Sequence, residues 1–166
     1  MQLNHGFQLA YCTNVHRGDN WAETLDSLER HTLAVRERVC PGRPYGIGLR
    51  LSELSARELS EPSALKAFEH WLDMHGCYVF TINGFPFGRF HGEVVKEDVY
   101  VPDWTQPERL NYTRRLFELL NRLLPPGVEG SVSTLPGTFK GFVREVPGRR
   151  HPRKPLVVRG SHRPLE

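Results

Sequence analysis

Three observations in this chain of 166 residues predict an α/β fold with a parallel sheet. Four short runs of apolar and β-branched residues alternate with three amphipathic helical patterns, in the order β, α, β, α, β, α, β. Strand starts fall roughly 30 to 50 residues apart, the cadence of right-handed crossover units. Polar groups gather just past the carboxyl end of each run: His16, then residues 50–52, 83–91 and 133–140. Two architectures fit, a doubly wound sheet complete with four strands or a partial (β/α)8 barrel, half of a ring that needs about 250 residues to close. The loops favour the partial barrel. A barrel collects every such loop on one rim, and no GxGxxG or GxxxxGK[ST] phosphate loop follows the first strand.

The first strand is read at residues 8–13 (QLAYCT). Asn20 with Glu23 then forms a capping box, and Trp21, Leu25, Leu28, Thr32, Val35 and Val39 place one apolar stripe on a helix that stops near Cys40-Pro41-Gly42. The second strand is GIGLRL, residues 46–51, closed by Ser52. Ser55 with Glu58 predicts a cap for a short helical turn. Pro62 opens a second piece whose buried face is Leu65, Phe68, Trp71 and Leu72, and Gly76 ends it. Residues 77–82 form the third strand, short and apolar enough to be buried on both faces. Residues 93–104 are too polar, and too broken by Pro102, to be core. Thr105 with Glu108 predicts a third helix, with Leu110, Leu116, Phe117, Leu120, Leu123 and Leu124 inside, stopped by Pro125-Pro126-Gly127. Residues 129–134 (EGSVST) form the fourth strand. The aromatics Trp21, Phe68, Trp71 and Phe117 are read as core.

Composition narrows the function classes. No apolar run has the length of a membrane span and the first ten residues lack the pattern of a signal peptide, so the expected location is the cytoplasm. Cys12, Cys40 and Cys77 are odd in number and show no CxxC spacing, so neither a disulfide nor a cysteine zinc site is expected. Residues 141–166 hold seven Arg or Lys against two acids, a charge of +5, which leaves −2 of the total +3 for the remainder. A near-neutral body argues against a nucleic-acid surface on the folded part.

The stretch CYVFTINGFPFGRFHG, residues 77–92, holds most of the candidate chemistry. Asn83-Gly84 ends the strand, and Phe85, Phe87 and Phe90 line a turn carrying Arg89 and His91, which reads as a lined pocket or as a hydrophobic loop packed over the sheet. His91 is the leading catalytic candidate, since an imidazole at a strand's carboxyl end can ligate a metal or move a proton near neutral pH. His16 is the second, although the two have no metal-ligand spacing. Arg50 is a charge inside an apolar strand. Burial without a partner would be costly, so it meets either an anionic ligand through two parallel hydrogen bonds or an acid in a structural ion pair, with Glu129 a candidate. Asn83 can donate its amide to a substrate hydroxyl or simply end the strand, and Phe85 is grouped with it as substrate-binding.

The segments YCTNVHRGDNW, PYGIGLRLS, YVFTINGFPFGRFHG, VKEDVYVPDW and VEGSVSTLPGTFK, in this order, resemble the amino-terminal half of the EboE family. Those are the metabolite traffic proteins of the ebo cluster, related to xylose isomerase-like TIM barrels and to sugar-phosphate isomerases and epimerases. The resemblance spans residues 9–140 and implies a chain that stops after the fourth strand of a TIM barrel. It implies that His16, Arg50, Asn83, His91 and Ser133 occupy the early rim. The divalent metal of the full-length relatives is held at later strand ends, so none is expected here. Two functions follow: a protein handling a secondary metabolite for export, inactive as an isolated fragment, or a metal-dependent sugar or sugar-phosphate isomerase or epimerase. The expected partners are a small-molecule metabolite and, through exposed sheet edges, a second copy. Residues 141–166, rich in Arg and Pro, are expected to be disordered or out of frame, with a nucleic-acid or anionic-lipid arm as the alternative.

Overall fold

The computed structural model describes residues 1–88 and 98–142. The expectations for His91, Arg89 and Phe90, and for all but the first residues of the basic tail, lie outside them. Four parallel strands form one sheet in the order β1-β2-β3-β4: β1 is Tyr11–Cys12, β2 Tyr45–Arg50, β3 Cys77–Asn83 and β4 Ser131–Ser133. The order runs with the sequence, without reversal. Each predicted strand is present, and β1 and β4 are shorter than expected, two and three residues long.

Side-chain alternation divides the sheet into two faces. Tyr45, Ile47, Leu49, Val79 and Ile82 belong to the core with Leu28, Leu59, Phe68, Leu72, Tyr112, Leu116 and Leu120 of the helices. On the opposite face Gly46, Gly48 and Arg50 of β2 lie beside Thr81 and Asn83 of β3, which pair in turn with Ser131 and Ser133. A bulge between Ile47 and Gly48 shifts the β2–β3 register by one residue, so that Gly48 pairs with Thr81. The second strand is buried throughout, as read. The third is not: Tyr78, Phe80 and Thr81 are only half-buried. Among the described residues their face carries no helix and is covered in part by the first ten residues, where Gln2 bridges Gln8 and the Tyr78 hydroxyl donates to Gln8 Oε1. Any side chain at Gly46 would run into the Met1 amine and the Leu9 carbonyl, so glycine is what lets that segment lie on the strand.

The helices correct the sequence reading in phase rather than in existence. Asn20 caps α1 (Trp21–Ser27) by accepting from the Glu23 N–H, as the capping box predicts. A π-turn at Leu28–Thr32 then separates α1 from α2 (Leu33–Val39). Leu28 and Thr32 are both buried, and the extra residue in that turn rotates α2 about its axis, so Val39 ends 60% exposed instead of continuing the stripe. The cap of α3 (Glu53–Leu59) is Ser52, not Ser55, and Glu58 accepts the Trp21 N–H of α1 at 2.7 Å. Pro62 opens α4 (Pro62–Met74) and Gly76 comes after it at φ 55°, both as read. Helix α5 (Pro107–Leu123) starts two residues after the predicted cap, because Thr105 donates to Asp103 instead. Its buried face is Arg109, Tyr112, Leu116, Leu119, Leu120 and Leu123, whereas Leu110 and Phe117, read as core, are 50% and 48% exposed. The spacing from 109 through 112, 116 and 119 to 123 is the true apolar stripe, hidden by the charge and the phenol at its head.

Candidate functional site

Each helix of a βα unit begins near the carboxyl end of the strand before it, so strand ends, the loops after them and the first helical turns share one rim. Arg50 and Asn83 are register partners, as are Asn83 and Ser133. Three residues singled out in the sequence therefore stand in one row across β2, β3 and β4. Ser133 Oγ donates to Asn83 Oδ1 at 3.0 Å and the Phe85 N–H reaches the same oxygen at 3.1 Å. That fixes the amide orientation and leaves Asn83 Nδ2 with no protein partner among the described residues. One level below, Thr81 and Ser131 join hydroxyls at 2.8 Å. The face around the row is therefore hydroxylic, half-exposed and rich in both donors and acceptors.

Arg50 is 3% exposed. Its backbone N–H donates to Thr13 Oγ1 at 2.8 Å, while Nη1 and Nη2 donate to the carbonyls of Gly18 and Gly88, each at 3.0 Å. Those carbonyls belong to the loops after β1 and β3, so the guanidinium ties two rim loops to the strand between them. Burial depresses its pKa, while the Tyr112 phenol and Asp19 act in the opposite direction. Glu129, suggested as its ion partner, is exposed. The carbonyl staple is one role of the strand charge.

His16 Nε2 lies 2.7 Å from the Tyr11 hydroxyl, and its ring stacks on His31 at 4.5 Å between centroids. It borders a cavity of about 10 Å³ lined also by Thr13, Thr24, Thr32 and Arg50, where the buried Thr32 hydroxyl has no hydrogen-bond partner among the described residues. That is room for one water molecule and not for a metabolite. His16 thus sits on the β1 side, with its ring stacked on that of His31. Phe85 is half-buried, its ring 6.0 Å from that of Tyr100. Phe87 points the other way, toward Tyr112 at 5.1 Å, and with Gly88 borders a groove of about 230 Å³ lined by Asp19, Asn20, Glu23, Ser52 and Glu53. A larger groove of about 640 Å³ lies at the opposite, amino end of the strands, between Pro44, Asp73, Gly76, Cys77 and Val128.

The structure adds rim residues that the sequence reading missed. Arg109, fully buried in the first turn of α5, donates from Nε to the Pro102 carbonyl at 2.8 Å and from Nη1 to the Gly84 carbonyl at 3.1 Å. The rings of Phe87 and Tyr112 lie 5.4 and 5.5 Å from its Cζ. Tyr112 donates its hydroxyl to the Leu51 carbonyl, and burial pushes that phenol far above its ordinary range. Asp103 accepts from the Thr105 N–H and hydroxyl and from the Thr138 hydroxyl, bonds that hold its pKa below the usual carboxylate value. The signal for Arg109 and Tyr112 was in the sequence, in their spacing ahead of Leu116, Leu119 and Leu123.

Among the described residues no three His, Cys, Asp or Glu side chains come together in a metal-binding group. No helix of the described residues is long and apolar enough to cross a membrane. Compared with protein-family models, with curated proteins and with solved structures, the chain matches none.

Proposed function

We propose that residues 9–140 form the opening half of a (β/α)8 barrel, and that its rim holds a small hydroxylated metabolite, in the manner of the EboE-like metabolite traffic proteins it resembles. The strand order supports the barrel. A doubly wound sheet reverses its order at a switch point, whereas a barrel adds each strand beside the last, and β1-β2-β3-β4 obeys the second rule. One observation carries the binding function: Arg50, Asn83 and Ser133 share a level at the carboxyl ends of three adjacent parallel strands, with Asn83 Nδ2 unpaired among the described residues. The Asn83 amide and the hydroxyls of Ser133, Thr81 and Ser131 suit a ligand that both donates and accepts, as vicinal hydroxyls do. Arg50 keeps the loops after β1 and β3 in position around them.

Calorimetric or NMR titration of the purified chain with a panel of pentoses, hexoses and linear polyols tests this. Binding by any of them that weakens about tenfold in Asn83→Ala, the loss of one well-placed hydrogen bond in a desolvated site, supports the proposal. A panel that leaves the Asn83 side-chain amide resonances unmoved overturns it.

A further inference from the structure

We infer that the groove at the amino end of the strands is a second binding site, and that it takes a short peptide with free termini and apolar side chains. This site stands apart from the rim and does not depend on the function proposed there.

The groove has the room and the access. It measures about 640 Å³, inside the range of about 300–1,000 Å³ usual for pockets that enclose a small ligand. Arg43, Pro44, Asp73 and Gly76 on its border are exposed, so a ligand reaches it from solvent. Leu3, Pro44, Leu72, Pro125 and Val128 give it an apolar lining, contributed by the amino-terminal segment, the loop before β2, the end of α4 and the loop before β4. Such a surface favours a ligand with apolar side chains of its own.

Two opposite charges border this lining. Asp73 lies in the last turn of α4, which holds no basic residue. A carboxylate there adds to the negative end of the helix dipole, and a cation relieves it. Arg43 lies in the loop before β2. Neither side chain makes a hydrogen bond or a salt bridge among the described residues, so the two border one groove without neutralising each other. A ligand carrying both an ammonium and a carboxylate answers both, the ammonium at Asp73 and the carboxylate on the fork of Arg43. A purely anionic ligand would be repelled by Asp73, and an uncharged one would leave both groups to solvent. Gln8 supplies the third polar feature. Its Oε1 accepts the Tyr78 hydroxyl at 2.7 Å, which orients the amide and leaves Nε2 with no hydrogen-bond partner among the described residues. An oriented amide N–H suits the carbonyl of a peptide bond.

The test records ¹H–¹⁵N spectra of the wild-type chain during titration with three probes. Leucylleucine has both charges and apolar side chains, N-acetyl-leucylleucine amide keeps the side chains and lacks the charges, and glycylglycine keeps the charges and lacks the side chains. The expected result is a saturable shift of the Asp73, Gly76 and Tyr78 backbone amides and of the Gln8 side-chain amide with leucylleucine, and a Kd at least tenfold weaker for each of the other two. Asp73→Asn and Arg43→Met, at exposed positions whose replacement leaves the spectrum of the folded chain intact, should each weaken leucylleucine binding at least tenfold. No shift at these residues with leucylleucine overturns the inference. So does equal affinity for either control peptide, or variants that bind as tightly as wild type. Shifts confined to Asn83 and Ser133 also overturn it and leave the rim site standing.

Discussion

At the scale of single residues, a buried charge has to be answered by something, and Arg50 is answered by main-chain carbonyls of two loops 70 residues apart in sequence, Gly18 and Gly88. Replacing it with Met removes two charge-assisted bonds and strands both carbonyls, at a cost of about 3 kcal/mol or more. Arg50→Lys recovers less than half of this, since one ammonium cannot take the place of a fork with fixed geometry. Urea unfolding monitored by tryptophan fluorescence measures both, and a midpoint unmoved in Arg50→Met would dissociate the loops from the strand charge. Arg50 was legible in the sequence because a lone charge interrupts an apolar run. Arg109 was harder to single out, because α5 also carries Arg114, Arg115 and Arg122, and the signal that this arginine turns inward lies only in the side chains placed three, seven and ten residues later. Burial gives the pH dependence its sign. The Cys77 thiol is pushed from 9.0 up to about 11 and the Tyr45 phenol from 10.0 to about 12. The folded chain keeps these protons where the unfolded chain has lost them. The contribution of these two groups is thus intact below pH 9 and declines from pH 9 to 12, by at most ~1.4 kcal/mol per pH unit for each group. Cys77→Ala should flatten the decline between pH 9 and 11, measured as urea midpoints in that range. Asp103 acts at the other end with the opposite sign: its contribution is full above the ordinary pKa of 3.8 and is lost as pH falls below it.

Elements show where periodicity suffices and where it does not. The helices after β1, β2 and β3 were all legible, because their apolar residues recur at helical spacing. The π-turn was not: nothing in LERHT marks an extra residue per turn, and it is tolerated because it lets both Leu28 and Thr32 face inward. The phase of α5 makes a direct test. Leu116→Ala empties a fully packed position and should cost about 2–5 kcal/mol, while Phe117→Ser, on the half-exposed side, should change stability by less than about 1 kcal/mol. The reverse ranking would restore the register read from sequence. The turn after β3 is tested by its glycines. A Cβ at Gly84 would lie 2.5 Å from Leu116 Cδ1 and 2.9 Å from the Ser133 carbonyl, whereas one at Gly88 meets nothing within 4 Å. Gly84→Ala should therefore destabilise by about 1–3 kcal/mol and Gly88→Ala by far less. The sequence offered Asn83-Gly84 as a turn signal; the structure shows the glycine is needed for the close approach of helix and strand on either side.

For the molecule as a whole, strand order is what sequence patterning leaves open, since the same alternation of strands and helices serves sheets wound in one direction or two. The edge that each new strand joins decides it, and here each joins beside its predecessor, giving a sheet whose rim residues line up across neighbouring strands. Such a sheet is uneven in stability. Strand β2 is paired along its length with β3 and at Ile47 and Gly48 with β1, and is buried at all six positions; β1 contributes two residues and β4 three, and the hydroxyl-lined face of β3 and β4 has no helix over it among the described residues. Local opening tracks burial and pairing, so amide exchange should be slowest in Tyr45–Arg50 and faster in Ser131–Ser133 by about two orders of magnitude or more. Hydrogen exchange measured by NMR resolves both segments in one experiment. Protection of Ser131–Ser133 equal to that of β2 would mean that the outer edge of β4 is paired in solution. Its loss on dilution would identify a second copy as the strand that pairs with it, and its persistence at all concentrations would place that strand within the same chain.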